Sequence, residues 1–94
     1  MAFFVYIMTN RKHGTLYIGQ TDDLPKRAHQ HRNGLVDGFT KEYGLKRLVY
    51  FEATEDRDSA RYREHQLKNW QRAWKIELIE KINPDWQDLF DELV

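Results

Sequence analysis

Five side chains in this chain could together do chemistry on a phosphodiester. Tyr6 and Tyr17 carry phenols, Arg27 a guanidinium, His31 an imidazole and Glu64 a carboxylate. A carboxylate can hold a Mg²⁺ that keeps several waters and takes a phosphate oxygen. An arginine can neutralise charge that develops on the phosphate. A tyrosine or a histidine can take a proton from water. Each residue has a plainer reading as well: strand tyrosines usually pack in a core, and a helical arginine can reach out to solvent along its own stem.

The elements around these residues decide whether they can meet. Residues 3–9, FFVYIMT, form an apolar run rich in aromatic and β-branched types and read as a strand. Asn10 to Gly14 is turn chemistry, and Thr15 to Gly19 reads as a second strand that Gly19 stops, giving a hairpin. If even residues pair with odd ones, Tyr6 and Tyr17 share a face of that hairpin; a one-residue slip separates them. Thr21, Asp22 and Asp23 are all capping types, and Pro25 suits a first turn, so a short helix follows over Lys26 to Arg32, closed by Asn33 and Gly34. At 3.6 residues per turn Leu24, Arg27, Ala28 and His31 lie on one face. A cation and an imidazole thus share the stripe expected to face the core, which is unusual for a plain amphipathic helix.

Further along, Phe39 to Tyr43 reads as a helical turn stopped by Gly44, and residues 46–53 as a third strand. A helical pattern runs from Ser59 to about Gln71, with Ala60, Glu64 and Leu67, and Trp70 or Gln71, facing inward. Arg72 to Ile82 places Trp74, Leu78, Ile79 and Ile82 on one face and ends at Asn83-Pro84. Trp86, Leu89, Phe90 and Leu93 recur at helical spacing, so a last amphipathic helix is expected to dock back. The tryptophans Trp70, Trp74 and Trp86 are expected in the core, although an exposed one could stack on a base. His29 and His31 point to different sides of their helix, which argues against a zinc pair.

Composition narrows the classes. With 94 residues the expectation is one domain, 1–94, whose last stretch, 85–94, is an acidic amphipathic segment. No cysteine is present, so neither disulfides nor thiolate metal sites enter. No signal peptide and no apolar run of membrane-spanning length is visible, so a soluble, cytoplasmic protein with no membrane partner is expected. The net charge is zero, yet the tail holds four of the 15 acidic residues and no basic one, leaving residues 1–84 with 15 basic and 11 acidic side chains, a net of +4. The basic residues cluster at 26–32, 41–47 and 57–75, while the acidic tail could cover a basic face or simply favour solubility.

The order of these residues resembles the GIY-YIG nuclease family, and in particular its small stand-alone bacterial members. The naming motif stands as Val5-Tyr6-Ile7 and Tyr17-Ile18-Gly19 with nine residues between, the first triplet keeping its tyrosine while Val5 replaces the glycine. Arg27 follows Gly19 by eight residues, at the family's catalytic arginine; His31 and Glu64 match the family's His-or-Tyr position and its metal-binding glutamate. Gln20 stands where some members carry a lysine, with Lys41 as a candidate substitute, and Asn69 and Asn83 are both candidates for the family's late asparagine. The resemblance implies an α/β (α+β) fold, a three-stranded antiparallel sheet flanked by helices. It implies an endonuclease that hydrolyses DNA, structured or single-stranded, with one Mg²⁺ or Mn²⁺ and no small-molecule cofactor, in repair or recombination. In that scheme Tyr17 is the general base, Tyr6 and His31 lie near the water, Arg27 steadies the phosphate and Glu64 holds the metal. Two other classes compete: a weakly active or non-catalytic nucleic-acid-binding module with the same fold, and a protein-interaction domain using the C-terminal aromatic segment.

Overall fold

In a computed structural model, which describes residues 2–36 and 38–93, the chain forms a three-stranded antiparallel sheet flanked by helices. Met1, Asp37 in the Gly34–Gly38 loop and Val94 lie outside the described residues. The elements are β1 (Phe3–Thr9), β2 (Leu16–Thr21), α1 (Leu24–Arg32), α2 (Phe39–Glu42), β3 (Arg47–Thr54), α3 (Arg57–Asn69), α4 (Arg72–Ile82) and a 3₁₀ helix over Leu89–Leu93. The strand order is β2-β1-β3, so the first strand is central and pairs antiparallel on both sides.

Strand alternation sends β1 to two different cores. Val5 and Ile7 point to one face, where they pack with Ile18, Val49, Ala60, Leu67, Ile79 and Trp86. Tyr6 and Met8 point to the other, against Leu24, Ala28, Leu45 and Leu48. Helices α3 and α4 thus cover one side and α1 the other, as an antiparallel sheet with both faces buried requires. A bulge between Ile7 and Met8 shifts the register to β3, which lets Val49 and Tyr50, neighbours in sequence, both join the first core.

Local signals explain most boundaries. Asp23 caps α1, its side chain accepting from the Lys26 amide, and Pro25 sits in the first turn. Asp56 caps α3 in the same way through the Ser59 amide at 2.7 Å. Asn83 closes α4; its amide donates to Val49 O at 3.0 Å and Gln87 O at 2.9 Å, pinning the helix end to β3.

Several expectations need correction. Gly19 does not end β2, which continues through Gln20 to Thr21. The β1–β2 turn is as expected, with His13 in the left-handed region at φ 59°. On α4, Ile79 is buried but Trp74 and Ile82 are 50 % and 63 % exposed, because the helix touches the body along a narrower stripe than the periodicity suggests. The last four apolar residues do not share a helical face. Trp86 takes φ 56° and enters the α3/α4 core, whereas Leu89, Phe90 and Leu93 pack against the α1 side. The chain passes β3 between the two: Arg47 donates to Trp86 O at 3.0 Å, and Asp88 accepts from the Leu48 amide. Asp88 also pairs with Arg32 at 2.8 Å, so part of the acidic tail does cover a basic side chain of α1.

Candidate active site

The hairpin register places Tyr6 opposite Gly19 and Tyr17 opposite Met8, even against odd. Both tyrosines therefore lie on the α1 face, with ring centroids 6.3 Å apart. Gly19 makes this possible. A Cβ there would stand 2.6 Å from Tyr6 Cζ and Oη and 2.9 Å from Tyr17 Cε2, so the second triplet's glycine is the space the Tyr6 ring needs.

Helix α1 brings the next residues in. Leu24, Ala28 and His31 form its buried stripe. The His31 imidazole lies 5.6 Å from the Tyr6 ring and 5.7 Å from the Tyr17 ring, and its Nε2 shares a 3.0 Å hydrogen bond with Tyr6 Oη. His31 Nδ1 is buried and has no hydrogen-bond partner among the described residues. Burial holds the imidazole pKa down at about 4, and the Arg27 charge adds to this, so the ring is neutral at neutral pH. Burial raises the Tyr6 phenol above its ordinary range; Tyr17 and Glu64 push it the same way while Arg27 opposes them. Tyr6 is therefore a neutral phenol that can donate or relay a hydrogen bond.

Arg27 sits beside this trio, four residues before His31 and close enough for its charge to act on both Tyr6 and His31. No carboxylate pairs with it among the described residues. It lines two surface clefts of about 470 and 280 Å³, both of which also include Thr21 and Asp22. The smaller cleft adds Gln20 and a second arginine, Arg57, whose guanidinium lies 5.3 Å over the Phe3 ring. Spacing gave no sign of Arg57, because it meets Arg27 only through the tertiary fold.

Glu64 arrives differently. Its helix neighbours Ala60 and Leu67 pack on the opposite face of the sheet from the tyrosines. Its side chain is 19 % exposed and lies 3.6 Å from Lys68 Nζ. The carboxylate is nevertheless near enough to raise the Tyr6 pKa. Tyr6, Tyr17 and His31 are thus in contact and Arg27 adjoins them, whereas Glu64 communicates with the group by charge. No cluster of three or more His, Cys, Asp or Glu side chains suited to a metal occurs among the described residues. A lone carboxylate still fits Mg²⁺ or Mn²⁺, hard cations that keep most of their waters and bind through one or two carboxylates plus the substrate's phosphate.

The two candidate asparagines have structural duties. Asn83 is the cap of α4, and Asn69 donates back to His65 O within its own helix. Gln20 lies in β2 opposite Val5 and lines the arginine cleft. Lys41 stands in α2, between Phe39 and Tyr43.

Comparison with known proteins shows what the chain is similar to. Residues 2–77 match the model of the GIY-YIG catalytic domain. A UPF0213 protein of Clostridium perfringens is 40% identical over 76 residues, covering 81% of each chain. A UPF0213 protein of Staphylococcus saprophyticus is 36% identical over 76 residues, covering 81% of this chain and 92% of the relative. The solution NMR structure of a UPF0213 protein from Bacillus halodurans superposes with a TM-score of 0.57 at 28% identity, covering 94% of this chain and 93% of the other. With the family model spanning most of its length, the chain belongs to the GIY-YIG family of nuclease domains.

Proposed function

We propose that this protein is an endonuclease that hydrolyses DNA phosphodiester bonds with the help of Mg²⁺ or Mn²⁺. The observation that carries the reading is the contact cluster of Tyr6, Tyr17 and His31 beside an arginine that no carboxylate neutralises among the described residues. Arg27 takes the scissile phosphate; its planar fork suits two phosphate oxygens. Tyr17, once its own phenol proton has passed to solvent, takes the proton of the attacking water as the water oxygen bonds to phosphorus and the P–O bond to the leaving oxygen breaks, that oxygen drawing its proton from another water. Tyr6 and His31, hydrogen-bonded and both uncharged, hold the phenol in place at the edge of that reaction. Glu64 would hold the divalent ion, which when bound supplies positive charge to the phosphate and acidifies a water.

The alternative of a binding module without activity draws on one observation: Lys68 already pairs with Glu64 and competes with a cation for it. Cleavage assays separate the two. A panel of branched, flapped, nicked and single-stranded DNAs is incubated with Mg²⁺ or Mn²⁺, using the natural chain and Arg27→Ala. The expected loss for Arg27→Ala is on the order of 10²–10³ in rate with an unchanged circular-dichroism spectrum. Cleavage at the natural rate by Arg27→Ala, or no cleavage by the natural chain, overturns the reading.

A further inference from the structure

The geometry points to a nucleobase platform at Phe39 and Tyr43 that stacks an unpaired base next to the scissile phosphate. This rests on the nuclease reading, because it takes the phosphate to lie at Arg27. The observation is an exposed aromatic ladder that begins inside the candidate site. The Phe39 ring lies nearly parallel to Tyr17, 27° between planes at 6.4 Å, and the Tyr43 ring lies 4.7 Å from Phe39. Phe39 is 45 % exposed and Tyr43 52 %.

The segment that carries them is built to hold those rings outward. Phe39 and Tyr43 are one helical turn apart and so lie on one side of α2 and its cap. Thr40, between them in sequence, is buried, and Leu45 just after is fully buried; its amide donates to Thr40 O at 2.8 Å. Gly38 and Gly44 bracket the turn with φ of 99° and 66°, a conformation that a side chain would oppose at both ends. The segment is therefore anchored by its inner residues while its two aromatic residues stay in water, an arrangement that contributes little to folding and suits a contact.

Continuity with the site selects the occupant. Tyr17 belongs both to the contact cluster with Tyr6 and His31 and to the ladder with Phe39. A nucleotide whose phosphate sits at Arg27 carries its base one sugar away from that phosphate, and the ladder that runs from Tyr17 through Phe39 to Tyr43 offers it aromatic faces. Stacking on such faces works for every base and needs the base to be out of a duplex. A paired base is covered on both sides by its neighbours and cannot use the platform. The substrate is then DNA with an unpaired nucleotide at the cut, such as a single strand, a flap or a branch point.

The test is binding by the whole chain in EDTA, so that no cleavage occurs. The probes are a single-stranded oligonucleotide containing 2-aminopurine and the same strand in a duplex. Fluorescence quenching reports stacking and anisotropy reports affinity. The natural chain is expected to quench the single-stranded probe. Phe39→Leu, which keeps an apolar side chain but removes the ring face, is expected to lose that quenching and about tenfold in affinity for the single strand, with duplex binding unchanged. Phe39→Trp should restore both, which separates loss of stacking from loss of fold. Equal quenching and affinity with Phe39→Leu, or no quenching by the natural chain, overturns the platform and makes Phe39 a cover for Tyr17 only. Arg27-dependent cleavage alongside an unaltered Phe39→Leu would leave the nuclease reading standing without the platform. Phe39-dependent quenching without any cleavage would leave the platform standing without the nuclease.

Discussion

The two faces of the sheet are put to opposite uses, and β1 serves both. Val5 and Ile7 point into an apolar core, aliphatic side chains with Tyr50 and Trp86, under α3 and α4. On that side the polar edges are paired: Tyr50 donates to Glu52, Arg63 pairs with Glu52, and Trp86 Nε1 donates to Glu80. Tyr6, one residue away from each aliphatic neighbour, points to the α1 side, where a phenol and an imidazole are buried together and one ring nitrogen has no partner among the described residues. A buried polar group without a partner costs stability. One face is thus optimised for packing, while the other tolerates polar groups that packing alone would not select. Substitutions on the two faces should therefore separate stability from activity.

The largest stability effect is expected on the packing face. Ile7→Ala removes a fully buried side chain and should destabilise by about 2–5 kcal/mol in denaturant unfolding, with cleavage per folded molecule kept. A loss of activity matching the Arg27→Ala loss, at full folding, would break the division of labour. Tyr6→Phe on the other face keeps the ring's packing but leaves both His31 nitrogens without a partner. It should cost about 1–3 kcal/mol while lowering cleavage far more than Ile7→Ala does.

A pH series sharpens the same contrast. The folded His31 value, about 4, is below the ordinary histidine value of 6.5, so the unfolded chain binds its proton more readily. The stability this confers is present above about pH 6.5 and is lost as pH falls toward 4, at up to roughly 1.4 kcal/mol per pH unit. Unfolding of the natural chain and of His31→Gln should diverge at pH 7 and converge near pH 4. Parallel curves would mean that His31 is not held neutral by burial. The smallest effect belongs to the cap that sets α1 on this face: Asp23→Ala should cost about 1 kcal/mol and weaken cleavage only through the position of Arg27.

Much of this was legible before the fold. The apolar run at 3–9, the capping types Thr21 to Asp23 ahead of Pro25 and the Asn83-Pro84 stop are local signals, and they mark real elements. The shared face of Tyr6 and Tyr17 followed from period two once the register was known. What failed depends on distant contacts. Helical spacing from Trp86 to Leu93 is present in the letters, but the chain must pass the β3 edge there, and Trp86 takes a left-handed conformation to do so. Gly19 reads as a strand breaker, yet its purpose is to admit the Tyr6 ring from the neighbouring strand. Trp74 has the spacing of a core residue, but it lies on the margin of α4's contact and remains half exposed.

Glu64 is the proposed metal ligand for the tyrosine face although its helix packs on the other. Glu64→Gln keeps the side chain's shape and removes the charge that a hard cation needs. Cleavage in Mn²⁺ and thermal midpoints with and without Mn²⁺ are measured on this variant beside the natural chain. Metal-dependent cleavage is expected to disappear, and Mn²⁺ is expected no longer to raise the midpoint. Stability in EDTA should stay level or rise, because a mostly buried carboxylate charge is removed along with its pair to Lys68. Unaltered cleavage by Glu64→Gln, with the same response to Mn²⁺ as the natural chain, would rule out Glu64 as the metal ligand.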